Sequence, residues 1–212
     1  MNPLRYIVVE GPIGVGKTTL ARRLADSFAA ELLLEEPEDN PFLARFYENP
    51  RAHALQTQLY FLLQRSRQIQ GLRQGDMFSR VRVGDYLMDK DRIFAELTLE
   101  PDELTLYQQV YSHVAGETVT PDLVIYLQAP VSVLQERIAH RGIGYERSID
   151  TQYLQRLVSA YTRFFYHYEA SPLVIVNAAG IDFANSDEDY RLLFDKLRDL
   201  GRGRHYLNPM PL

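Results

Sequence analysis

The stretch GPIGVGKTT, residues 11–19, has the residue types and spacing of a phosphate cradle. Gly11, Gly16, Lys17 and Thr18 fit the pattern G-x-x-x-x-G-K-[ST]. A strand-like run, YIVVE, precedes the loop, and a helix-like run, TTLARRLADSF, follows it. Glycines let the backbone aim its N–H groups at phosphate oxygens where a helix begins. The expected ATP-binding residues are therefore Gly11, Gly14, Val15, Gly16, Lys17, Thr18 and Thr19. In this pattern the lysine, Lys17, reaches the β- and γ-phosphates and counts as catalytic, while the Thr18 hydroxyl ligates Mg2+. A chance Gly-rich turn is a poor alternative, because the whole pattern stands in its proper strand–helix setting. The loop binds a nucleoside triphosphate with Mg2+ and leaves the acceptor open.

Four other places could do chemistry on an acceptor. VRVGDYLMDKDRIFAE, residues 81–96, runs from a strand into a cluster of charge. Asp85 closes that strand, at the sheet edge where Lys17 is expected, and is the candidate catalytic base and second metal ligand. Asp89 and Asp91 fall at the start of the next helix, where acids are favoured by the macrodipole alone. Glu35 and Glu36 follow the second apolar run, and one of them could bond an acceptor hydroxyl. Gln58 and Arg65 are seven apart, on one helix face with Phe61 and Leu62. They either read a planar base or make hydrogen bonds in the core, and this helix alone does not choose. Arg137 and Arg141, four apart on one helix face, could close over the transferring phosphoryl group. The glycines at 142 and 144 offer a hinge for such a lid.

These residues need elements to hold them. Five β-rich runs stand out, at 6–10, 31–35, 81–85, 122–128 and 173–177. Most are continuously apolar, as parallel strands buried on both faces are. Helical spacing joins Leu104, Tyr107, Tyr111 and Val114; Leu154, Leu157, Tyr161, Phe164 and Phe165; and Tyr190, Leu193, Phe194 and Leu197. The alternation predicts an α/β fold of the P-loop NTPase type, a five-stranded parallel sheet with helices on both faces. One domain spans 1–200, with a lid at 137–150, and 201–212 reads as a surface tail.

Composition sets the outer limits. The chain has 212 residues, 46% hydrophobic and 24% charged, in keeping with one well-packed domain. A net charge of −5 gives no electrostatic case for a nucleic-acid polymer or an anionic membrane as partner. With no cysteine, thiol catalysis, zinc ribbons and disulfides are excluded. No run is long enough for a membrane span, and no signal peptide is read, so a cytoplasmic location is expected. The late strand leads into VNAAGID, which lacks the N-K-x-D guanine-reading stretch of a GTPase.

The ordering of these pieces resembles the deoxynucleoside kinase family, and within it the bacterial deoxyadenosine/deoxyguanosine kinases. The phosphate loop carries the resemblance, with EP at 36–37, YENP at 47–50, QLYFLLQRSR at 58–67, the acid after the third strand, and RIAHRG at 137–142 with Glu146. It covers most of the chain. It implies transfer of the γ-phosphoryl of ATP to the 5′-hydroxyl of a deoxynucleoside, a purine one, with Mg2+. It further implies that Glu36 bonds the 5′-hydroxyl region, that Tyr47 and Glu146 hold the 3′-hydroxyl, and that Gln58 reads the base edge. Arg65 and Asp91 would shape the base pocket, and Asp89 is left to the solvent. The family is usually dimeric, so a homodimer is expected, with the Tyr-rich helix near 101–115 as one available face.

Two departures stand out. The family's acid is followed by Arg-Ser, whereas this chain has Tyr86-Leu87. The family's lid reads Arg-Gly-Arg, whereas this chain has Arg141-Gly142-Ile143, with Arg147 nearby as the candidate substitute. Two alternatives stand beside this reading. A nucleoside monophosphate kinase of the thymidylate-kinase kind shares the fold, but it needs cations rather than carboxylates at its acceptor phosphate. A non-catalytic nucleotide-binding regulator would need no acceptor pocket at all.

Overall fold

The computed structural model describes residues 4–74, 81–116, 119–198, 201 and 203–208. Its centre is a parallel sheet of β1 (Tyr6–Glu10), β2 (Glu31–Leu33), β3 (Arg82–Gly84), β4 (Leu123–Gln128), β5 (Leu173–Asn177) and β6 (Arg204–Leu207). The strand order is β2-β3-β1-β4-β5-β6, and every pairing is parallel. The sheet therefore has six strands, not the expected five. The sixth comes from the segment expected to be a tail: residues 204–207 pair with β5, whose free edge would otherwise expose its backbone groups. Residues 202 and 209–212 of that segment lie outside the described residues. Strands β2 and β3 are shorter than the apolar runs that announced them, three residues each. Asp85 thus begins the loop after β3 instead of closing the strand.

The described residues form eight helices: α1 (Lys17–Phe28), α2 (Leu43–Glu48), α3 (Pro50–Gln74), α4 (Lys90–Thr98), α5 (Pro101–Val114), α6 (Val131–Arg141), α7 (Thr151–Tyr166) and α8 (Asp187–Arg198). Strand alternation sorts the core into two layers. Ile7, Val9, Ile125, Leu127, Val174 and Val176 face α1, α6 and α8, which contribute Leu20, Leu24, Leu134 and Leu193. Tyr6, Val8, Val124, Tyr126 and Ile175 face α4 and α7, which contribute Ile93, Leu157, Tyr161 and Phe165. No helix among the described residues is long and apolar enough to cross a membrane.

One buried acid ties the site's supports together. The carboxylate of Glu10, at the end of β1, accepts hydrogen bonds from the Gly11 N–H at 2.8 Å, the Leu87 N–H at 2.8 Å and the Tyr161 hydroxyl at 3.0 Å. The phosphate loop, the turn into α4 and helix α7 meet on this group. Burial, then the nearby Glu10 charge, raises the Tyr161 hydroxyl far above its ordinary value, so it remains a neutral donor. A Tyr161→Phe substitution should keep the packing and lose that donor. We expect it to lower stability by about 1.5–3 kcal/mol, the range for a hydrogen bond to a charged group. Urea unfolding measures this, and an unmoved midpoint would show that the clamp does not contribute.

Candidate active site

The loop after β1 turns sharply into α1. Gly16 caps the helix with φ 103°, in the left-handed region that glycine adopts without strain. A Cβ there would also crowd the Phe183 ring at 3.1 Å. No side chain caps α1, and no acid stands in its first turn, so its leading N–H groups remain available to phosphates. The Lys17 ammonium folds back over the loop and donates to the carbonyls of Gly11 (2.8 Å) and Pro12 (3.1 Å).

Two cavities meet at this loop. One cleft is lined by Gly14, Val15, Gly16, Lys17, Thr18 and Thr19, facing Arg137, His140 and the loop 181–185. The other holds about 800 Å³ and shares Gly14, Lys17, Thr18 and Arg141 with the first. Its walls include six aromatic residues: Phe46, Tyr47, Phe61, Phe94, Tyr145 and Tyr153. The rings of Tyr47 and Tyr145 lie nearly parallel, with centroids 5.9 Å apart. Among the described residues, the Tyr145 and Tyr153 hydroxyls and Arg65 Nε have no hydrogen-bond partner, and all three residues line the cavity. These are buried polar atoms that a planar, polar guest can satisfy.

Asp85 stands where the cavities join. Its Oδ2 accepts from the Thr18 hydroxyl at 2.5 Å, and its Oδ1 from the Glu35 N–H at 2.8 Å. The two oxygens expected to hold Mg2+ are therefore adjacent. Among the described residues, no group of three or more acidic or imidazole side chains converges on one point. The protein offers two hard oxygens and leaves the remaining positions to phosphates and water, which is how Mg2+ is commonly bound. The residues present fit the ion.

Beside Asp85 lies a chain of buried charges. Asp91, fully buried on α4, pairs with Arg65 on α3; Arg65 also pairs with Glu35, and Glu35 with the Lys90 ammonium at 2.9 Å. Burial by itself would raise the Glu35 carboxyl, but Arg65 and Lys90 override it and hold the group far below the usual carboxylate range. Glu35 is accordingly a poor proton acceptor.

The expected residues sort as follows. Lys17, Thr18, Asp85, Tyr47, Gln58, Arg65, Arg141 and Glu146 all line the acceptor cavity. Glu36 does not: it is exposed at the start of a short 3-10 turn, Pro37–Asp39, and the carboxylate inside the cavity is that of Glu35. Asp91 shapes the pocket from behind Arg65 and is absent from its wall. Asp89 is half-buried at the N-cap of α4, with its carboxyl raised by burial, and so is not the solvated acid expected. Arg137 and Arg141 both line the phosphate-loop cleft, and each has its own protein partners. Arg137 donates to the carbonyls of Val15 and Ala178, tying the phosphate loop to β5, while Arg141 pairs with Glu146 across the Gly142 turn. Arg147 is exposed and lines neither cavity. Tyr86, where the resemblance expects arginine, is fully buried and donates to Gln68 on α3 at 2.6 Å. Sequence reading missed Lys90, and the signal was present: a cation as the first residue of a helix opposes the macrodipole.

Comparison with known proteins is consistent with this geometry. A sequence model described as "Deoxynucleoside kinase" matches residues 7–200. The deoxyguanosine kinase of Bacillus subtilis is 34% identical over 207 residues, covering 94% of this chain and 99% of its own length. The deoxyadenosine kinase of Lactobacillus acidophilus is 27% identical over 216 residues, covering 93% and 99% respectively. Among solved structures, the deoxyadenosine kinase from M. mycoides with dATP bound superposes with a TM-score of 0.80 at 23% identity, over 92% of this chain and 100% of that one. At that identity it bears on the fold alone.

The Lys17 ammonium carries a pH signature. Burial, then the charge of Lys90, lowers it to about 8. Phosphates restore its charge, so ATP binding should take up a proton at Lys17 above pH 8. The affinity for ATP should therefore fall as pH rises from 8 to 10. In the apo protein the sign is opposite: the unfolded chain binds the proton more tightly, so this group's contribution to stability rises over the same window. Calorimetric titration of ATP in buffers of different ionisation enthalpy measures the uptake, and its absence above pH 8 would contradict the assignment.

Proposed function

Because the chain belongs to the deoxynucleoside kinase family, an enzyme family of ATP-dependent phosphotransferases, we propose that its two joined cavities hold ATP–Mg2+ and a purine deoxynucleoside with the 5′-hydroxyl at Asp85. The observation that carries this reading is the chemistry of the acceptor cavity where it meets Lys17: carboxylates, Asp85 and Glu35, stand there. A carboxylate can take the proton of a hydroxyl acceptor, whereas an ionised acceptor phosphate has none to give. The aromatic wall and the Gln58–Arg65 face suit a base, with Gln58 offering donor and acceptor and Arg65 donors only.

In this reading Asp85 accepts the 5′-hydroxyl proton, and Lys17 stabilises the phosphates on the donor side. Thr18 and Asp85 would hold Mg2+, which would supply neutralisation of phosphate charge. Tyr47 and Glu146 bond the 3′-hydroxyl, and Arg141, now paired with Glu146, is released toward the phosphates as the sugar takes its place. Glu35 replaces Glu36 as the acid of the 5′ end. We also infer a cytoplasmic salvage enzyme acting as a homodimer through the face that α4 and α5 share, where Leu104, Tyr107 and Tyr111 border an open groove.

ATP–Mg2+ should yield ADP with deoxyguanosine or deoxyadenosine and little with the corresponding monophosphates or without acceptor. Turnover confined to monophosphates would contradict the acceptor assignment. Asp85→Asn keeps the shape and cannot take the proton, so kcat should fall by roughly 10²–10⁴-fold. Deoxynucleoside binding should change little, and wild-type turnover would remove Asp85 from the mechanism.

A further inference from the structure

Lys90 is the first residue of α4, and its side chain is only 5% exposed. The start of a helix carries partial positive charge, which disfavours an ammonium. A second ammonium, Lys17, lines the same cavity and feels the charge of Lys90. Both placements oppose folding. They are offset by the Glu35 carboxylate at 2.9 Å and by the face of Phe94, whose centroid lies 5.4 Å away. A buried ion pair is seldom worth more to a fold than apolar side chains of the same size. Stability therefore does not account for the charge, and an arriving anion does.

The position of Lys90 indicates which anion. The Thr18 hydroxyl and the Glu35 N–H both donate to Asp85, and Lys90 donates to the Glu35 side chain. Lys90 lines the acceptor cavity and does not line the cleft at the phosphate loop. We propose that Lys90 is a second phosphoryl-binding cation, which meets the transferred group on the acceptor oxygen while Lys17 holds the donor side. The proposal rests on the deoxynucleoside kinase reading. In the step, the bond from the γ-phosphorus to the β,γ-bridging oxygen breaks and the bond to the 5′-oxygen forms. The hydroxyl proton passes to Asp85, and ADP and the 5′-monophosphate leave. Lys90 keeps its proton throughout and exchanges part of its bond to Glu35 for one to the phosphoryl oxygens.

A cation with this duty should matter to the product and the transition state, and hardly to the uncharged substrate. In Lys90→Met, affinity for deoxyguanosine 5′-monophosphate should fall about 10- to 100-fold, the worth of one charge-assisted hydrogen bond. The kcat should fall in parallel, and deoxyguanosine should bind within about 3-fold of wild type. Lys90→Arg should restore much of both losses. If Lys90 only braces Glu35, nucleoside and monophosphate weaken equally, or neither changes, and the proposal is overturned. Should Lys90→Met fail to fold, the double variant Glu35→Gln with Lys90→Met leaves no unpaired charge and is compared with Glu35→Gln alone for the same ratio of affinities. A wild-type protein that phosphorylates no deoxynucleoside overturns the kinase reading itself. A working wild type with an unchanged affinity ratio in the variant overturns only the role of Lys90.

Discussion

The carboxylate of Asp85 joins three parts of the molecule that the chain keeps far apart. One oxygen takes the hydroxyl of Thr18 on α1, and the other takes the backbone N–H of Glu35 after β2. Its own position follows from β3 lying between β1 and β2 in the sheet. The phosphate loop and the acceptor loop are therefore registered against each other through a single side chain. Phosphoryl transfer asks chiefly for such registration, since reactive atoms held in line replace an entropic cost that solution would impose.

Around that joint the site gathers more charge than a core tolerates unaided. The series Asp91, Arg65, Glu35 and Lys90 alternates in sign, so each member offsets its neighbours' desolvation. The same alternation sets their chemistry. Glu35, between two cations, is a weak base that positions. Arg65, between two acids, presents a fixed donor face toward the cavity. Tyr86 contributes by its absence from this chemistry: its hydroxyl braces α3 through Gln68, which in turn donates to the Leu34 carbonyl at 3.1 Å. In the proposed reading, the cationic duty beside the acceptor oxygen falls to Lys90, four residues on at the start of α4.

Much of this was legible in the sequence wherever the information is local. The phosphate loop announces itself by its glycines and by the strand and helix that flank it. Five strands declare themselves as apolar runs, and Gln58 and Arg65 share a face because helix spacing makes them do so. What stayed hidden depends on packing between distant segments. Glu35 and Glu36 are adjacent, and which one enters the cavity is decided by where β2 ends against β3, a matter of one residue of register. Lys90 reads as one charge among four, and only the approach of Glu35 from the β2 loop makes it a buried group. Arg137 and Arg141 have the spacing of a pair, yet the carbonyls of Val15 and Ala178 claim one and Glu146 the other. The short strand β6 is polar in sequence because it lies at an edge, and edge strands lack the apolar signature of the interior.

The central claim is that Asp85 receives a deoxynucleoside 5′-hydroxyl in line with the phosphate loop. A crystal structure with deoxyguanosine and a non-hydrolysable ATP analogue tests it most directly. The account predicts the 5′-oxygen in hydrogen-bond reach of Asp85 and about 3–3.5 Å from the γ-phosphorus, with the base between the aromatic walls beside Gln58 and Arg65. A nucleoside seated with its 5′-oxygen turned away from Asp85, or bound outside this cavity, would contradict it.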